Sequence, residues 1–193
     1  LLPGEQSNAE SCLKSAIETI ERAIDKTESS SLVYLLMAAQ TRLSVYTSVD
    51  PMQAVHDTEN TILTLENVIN KAGETSFSNY ILGIFYMFLA CNLQNANAKE
   101  SEIRSAFCKS LELHESSIAQ FGRSDDRLDS LAKTIHQIAV RDIDVDIDLA
   151  RKGFVNVIEL SQEAYSLSGF EDADRLDRVG DCCHCFVIWD GAE

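Results

Sequence analysis

Proline and glycine are scarce in this chain, with two Pro and eight Gly among 193 residues. A β-sandwich needs a turn signal every few residues, so this scarcity argues against one and suits long helices. No apolar run is long enough to cross a bilayer; the longest, Tyr80 to Cys91, has the length of a buried helix. No signal peptide and no basic targeting segment can be read. A phosphate-binding glycine loop and a His-Glu-x-x-His motif are also missing, so nothing in the motifs points to an enzyme or a cofactor. Positive charge is in short supply. Sixteen Lys and Arg stand against 31 Asp and Glu, for a net charge of -15. Such a surface repels nucleic-acid phosphates and anionic membranes, and either favours basic partners or serves solubility. Six cysteines are present, but their irregular spacing is not that of a secreted disulfide framework, which places the chain in a reducing, intracellular setting such as cytoplasm or nucleus. The chain opens at Leu1 rather than Met, which reads as a fragment or a processed product.

What is present is helical periodicity. Apolar residues recur at helical spacing over 11–26, 32–47, 51–71, 76–93, 100–120, from 124 onward, over 150–167 and over 172–188. Punctuation agrees with these spans. Pro51 suits a first helical turn, where its missing N–H costs nothing. Gly73, Gly122 and Gly169 stand where helices close, and Ser124 followed by two Asp suits a capped start. The length and hydrophobic content suit one domain over 1–193.

Two residue patterns recur along this all-α reading. The first runs Tyr34, Met37, Ala38; Leu82, Gly83, Tyr86; Leu128, Leu131, Ala132, Ile135; and Leu176, Val179, Gly180, Cys183. Its small residues Ala38, Gly83, Ala132 and Gly180 are about 45 to 49 residues apart, a spacing of stacked repeat units. A small residue on a helix lets a neighbouring helix approach closely. The second runs Ala16, Ile20, Ala23, Ile24; Thr61, Leu65, Val68, Ile69; Ile103, Phe107, Ser110, Leu111; and Ala150, Phe154, Val157, Ile158. Its third copy is imperfect, because Ile103 is not small and Ser110 is not apolar.

These residues resemble the tetratricopeptide (TPR) repeat. Leu82-Gly83-x-x-Tyr86 matches the Leu-Gly-x-x-Tyr core of its first helix, and the segments 105–113 and 15–25 look like its second helix. The resemblance covers nearly the whole chain. It departs from the family in a period longer than the usual 34 residues and in lacking the closing prolines. It implies antiparallel helix pairs stacked as a right-handed superhelix, with a HEAT-like or 14-3-3-like array as the alternative. Neither end reads as a complete pair, so the chain is a piece of a longer array or has atypical caps.

Two clusters suggest chemistry and have plainer readings. Asp142, Asp144, Asp146 and Asp148 alternate as at the start of a calcium loop, but Ile147 and Gly153 occupy the positions where such a loop needs Gly and Glu. An acidic first helical turn explains the run, and a short strand fits the alternation. Cys182-Cys183-His184-Cys185 brings metal-type ligands together, yet adjacent side chains on a helix diverge and no second ligand pair follows. Cys183 is instead a core position of the repeat. No metal is therefore assigned. His56, His114 and His136 show no nucleophile or acid partner at a telling spacing.

In TPR-like arrays the first helix of each pair lines a concave face. The resemblance therefore implies groove positions at Tyr80, Ile84, Met87 and Phe88, then Asp126, Asp129, Lys133 and His136, then Asp174, Asp177, Asp181 and His184. That groove is apolar in the middle and acidic toward the C-terminus, and the partner-binding residues expected are Tyr80, Ile84, Met87, Phe88, Asp126, Asp129, Asp174, Asp177 and Asp181. The alternative is that Tyr80, Ile84 and Phe88 are all core. Some TPR co-chaperones hold acidic tails with Lys, Arg and Asn at such positions; Asp there implies a basic ligand. The sequence thus predicts a protein-interaction scaffold for a basic-apolar peptide or helix. An acidic inhibitor or nucleic-acid mimic that occupies a basic protein is the alternative.

Overall fold

A computed structural model describes residues 50–72, 75, 77–169 and 174–190, together with Ser11, Ser15, Glu18, Thr19 and Arg22, which are helical; the side chains of Val68, Lys71, Ala72, Asp174 and 185–190 lie outside this description. The expected helix over 32–47 and the pattern copies at Tyr34, Met37, Ala38 and at Ala16, Ile20, Ala23, Ile24 fall outside the described residues. Among the described residues from 50 onward six helices follow one another: α1 (Pro51–Ala72), α2 (Ser78–Asn95), α3 (Glu100–Phe121), α4 (Asp125–Asp142), α5 (Ile147–Leu167) and α6 (Asp174–Asp190). Among the described residues there is no strand, and no helix is long and apolar enough to cross a membrane. The chain divides into two compact units, Leu1–Ser110 and Leu111–Glu193.

The helix ends follow local chemistry. Asp50 Oδ1 accepts from Met52 N at 2.9 Å ahead of Pro51, so an acceptor and a residue without an N–H open α1 together. Thr75 Oγ1 accepts from the backbone of Ser78 at 3.2 Å while Ser78 Oγ accepts from Thr75 N at 2.9 Å, a reciprocal pair that closes the turn ahead of α2, whose N-cap residue is Phe77. Gly122, with φ of 84°, and Gly169, with φ of 72°, take the left-handed conformation that ends α3 and α5. Ser124 caps α4 as its sequence suggests. Helix α5 starts at Ile147, ahead of the expected 150, because the Asp146 side chain accepts from Leu149 N at 3.0 Å. The alternating Asp residues therefore divide among the end of α4, a turn, a cap and a first helical turn; none of them forms a strand.

In the first unit α1 and α2 run antiparallel, since Asn92 meets Ala54 and Thr58 while Tyr86 meets Glu66. Val55, Ile62, Leu65 and Ile69 of α1 are buried with Leu82, Phe85 and Leu89 of α2 and Ile103 and Phe107 of α3. Ser110, the odd residue of its copy, is buried because its hydroxyl donates to the Gly83 carbonyl at 2.8 Å. That bond brings α3 close to α2 at the small residue.

In the second unit α4 and α5 are antiparallel, with Ala139 near Gly153 and Arg123 near Glu163. The core joins Leu128, Leu131 and Ala132 to Ala150, Phe154, Val157 and Leu160, with Leu111 and Ile118 of α3 packed against it. A Cβ at Gly153 would lie 2.8 Å from the Ala139 Cβ, so this glycine sets the approach of the two helices. Gly180 has no such role: it is exposed, and a Cβ there would meet nothing within 4 Å. Nor is Cys183 a core position. Cys183 and Leu176 are exposed, whereas Arg175 and Cys182 are buried. The inward stripe of α6 is thus one residue out of step with the apolar pattern, because carboxylates and a helix-end carbonyl draw Arg175 inward.

Candidate interaction surface

Tyr80, Ile84, Met87 and Phe88 fall on α2 of the first unit, and all four are half-buried. They are neither sealed in the core nor fully open. The expected acidic positions fall in the second unit and separate into two kinds.

Helix α6 lies parallel to α4, joined to it by arginines. Arg175, with its side chain 5% exposed, donates through Nη2 to Asp125 Oδ2 at 3.1 Å and Asp126 Oδ1 at 3.5 Å. Its Nη1 donates to the Ala164 carbonyl at 2.9 Å, in the last turn of α5. One guanidinium so serves the acidic start of α4 and the carbonyl end of α5, the two helix ends where those charges belong. A turn further on, Arg178 Nη1 donates to Asp129 Oδ1 at 2.6 Å, and Lys133 Nζ lies 2.7 Å from Asp129 Oδ2. Burial pushes the Asp129 carboxyl up, but Lys133 and Arg178 outweigh it and hold the group below its ordinary value.

Asp129 is therefore not a groove acid: it is buried, and two cations already neutralise it. Asp126, Asp177 and Asp181 are exposed, whereas the side chain of Asp174 lies outside the described ones. His136 turns edge-on to the Phe154 ring at 5.7 Å, and burial and then Arg178 lower its pKa while Asp181 raises it. His184 is exposed. Among the described residues no three His, Cys, Asp or Glu converge as metal ligands; Cys185 is outside that description.

Sequence reasoning missed Arg175 and Arg178. A signal was available: they follow Asp126 and Asp129 by 49 residues, within the spacing of about 45 to 49 on which the expected repeat rests. A second feature also went unread. In the first unit an open trough of about 640 Å³ is lined by Tyr86, Leu89 and Leu93 of α2, Glu59 of α1, and Glu102 and Ala106 of α3. The repeat pattern places Tyr86 in its core. Its hydroxyl donates to Glu66 Oε1 at 3.1 Å, and burial, then the Glu66 charge, push its pKa up to about 12. No family model, curated protein or solved structure matches this chain.

Proposed function

We propose that this chain is a protein-interaction scaffold of TPR-like repeats whose α4–α6 side receives a basic-apolar segment of another protein. The observation that carries the reading is the sorting of acids on that side. Arg175 meets Asp125 and Asp126 and Arg178 meets Asp129, which holds α4 beside α6, while the carboxylates of Asp126, Asp177 and Asp181 are exposed at the surface. Exposed acids on a firmly held pair of helices suit orientation of a cationic partner. The offsets of 49 to 50 residues between the paired positions, and the antiparallel neighbours α1 with α2 and α4 with α5, support the repeat. A reducing, intracellular setting belongs to the same reading.

The test is stopped-flow association of a fluorescent amphipathic peptide of alternating Lys and Leu blocks, at low and high salt. The variant changes Asp126, Asp177 and Asp181 to Asn together and leaves Asp129 in place, since its loss would strand Arg178. Each exposed ion pair contributes about 0–1 kcal/mol, so the triple variant should associate several-fold more slowly, with a flatter salt dependence. Equal rates for parent and variant at low salt refute the acidic face. Strong salt dependence that survives Leu176→Ser, which removes an exposed apolar side chain of α6, favours the acidic mimic of nucleic acid over the scaffold.

A further inference from the structure

The trough of the first unit has the dimensions and chemistry of a peptide site. Its α3 wall runs from Ser101 to Lys109, which at 1.5 Å per residue is about 12 Å. That length takes about three to four residues of extended chain. The floor is apolar: Leu89 and Ala106 are buried, and Tyr86 and Leu93 are half-buried. The Tyr86 ring is held in place through its hydroxyl bond to Glu66. Glu59 of α1 and Glu102 of α3 line the trough and are exposed, with Lys109 two turns beyond Glu102.

This arrangement selects among occupants. An apolar side chain on the floor is removed from water over Leu89, Leu93 and Ala106. The flanking carboxylates favour ammonium or guanidinium groups on either side of it. A phosphate or an acidic peptide meets two carboxylates there against the single ammonium of Lys109. A second copy of this chain carries the same net charge of -15 and is repelled.

We propose that the α1–α2–α3 trough binds a short extended segment of a partner protein in which an apolar side chain lies between basic ones. This rests on reading the chain as an interaction scaffold, and it adds a site separate from the acids of the second unit.

The experiment is a methyl NMR titration of the full chain, with Leu and Ala methyls labelled and assigned. The probe is acetyl-Lys-Leu-Leu-Lys-amide, and the control is acetyl-Glu-Leu-Leu-Glu-amide. The basic peptide should shift Leu89, Leu93 and Ala106 saturably, and the control should not. Glu59→Gln with Glu102→Gln should weaken binding about five- to tenfold, the scale of two exposed ion pairs. The Gln at 102 keeps a carbonyl oxygen for Lys99 N, which Glu102 Oε2 now accepts at 3.3 Å, so the helix start is preserved. Leu93→Ser should abolish the shifts at Leu89 and Ala106. No shift at the trough, equal binding of the control, or an undiminished affinity in the double variant overturns the proposal. Perturbation confined to methyls beside Asp177 and Asp181, such as Leu176, overturns the trough and leaves the acidic face standing; perturbation confined to the trough does the reverse.

Discussion

The two units secure their helices with different polar chemistry. The first uses neutral groups: Asn92 Nδ2 donates to Thr58 Oγ1 at 3.0 Å and to the Ala54 carbonyl at 3.4 Å, and Ser110 donates to Gly83. The second uses charge: Arg175 on Asp125 and Asp126, Arg178 on Asp129, and Arg123 bidentate on Glu163. Both solve the same problem, which is to give polar groups at a helix contact a hydrogen-bond partner. Neutral bonds are indifferent to salt and to pH near neutrality. Charged ones weaken as carboxylates protonate, and their exposed members are screened. The Arg123–Glu163 pair, half open to solvent, is the weakest of the set.

The largest effect should test whether the units lose stability independently. Phe85 and Phe154 are each 0% exposed, one in each unit. Phe85→Ala and Phe154→Ala should each cost about 3–5 kcal/mol. Hydrogen exchange resolved by residue should show the loss within the mutated unit first; equal loss of protection across both units from either variant would break the comparison.

Acid should next separate them. His114, in the second unit, is 1% exposed, and burial lowers its pKa from 6.5 to about 4. The folded state therefore binds fewer protons than the unfolded one between those values, so stability rises with pH across that window. It is complete above 6.5, is lost as pH falls toward 4, and amounts to about 3 kcal/mol. Urea unfolding at pH 7 and pH 4.5 should show the slope in the parent. His114→Met should remove most of it, and an unchanged slope would assign the acid sensitivity to another group.

Smaller effects come from the anchors themselves. Arg175→Met removes a charged anchor and leaves Asp125 short of a partner, at about 2–3 kcal/mol. Asn92→Ala removes a neutral one, at about 1–2 kcal/mol. The difference should show in salt. The cost of Arg175→Met should shrink in 1 M NaCl, while that of Asn92→Ala should hold constant in urea titrations at both salt concentrations. Parallel salt responses would erase the distinction between the units.

The helices themselves were legible because periodicity and punctuation are local. Leu65, Phe107 and Phe154, spaced by the repeat pattern, are all buried, and Ser124 and the Asp run act at helix starts as their types dictate. Apolar pattern also identified Leu128 and Ala132, both 0% exposed. The pattern failed in α6, where it turned Leu176 and Cys183 inward although Arg175 and Cys182 are the buried residues. Hydropathy has no means of placing an arginine inside, because the favourable term is a set of acceptors from two other helices. For the same reason Asp129 read as a surface acid: its type is local information, and its cations at Lys133 and Arg178 are partly not.

Sequence by itself determined where helices form, where they stop and the acidic balance of the chain, since these depend on backbone preference, short-range capping and composition. Tertiary structure alone decided which acids are neutralised, which glycine is a contact and where a trough opens. Gly153 matters and Gly180 does not because one has Ala139 against it and the other has open space. Tyr86, Leu89 and Leu93 of α2 line a trough together with Glu59 of α1 and Glu102 and Ala106 of α3. Such outcomes depend on distances between residues remote in the chain, and those are set by how whole helices pack, which no single residue type specifies.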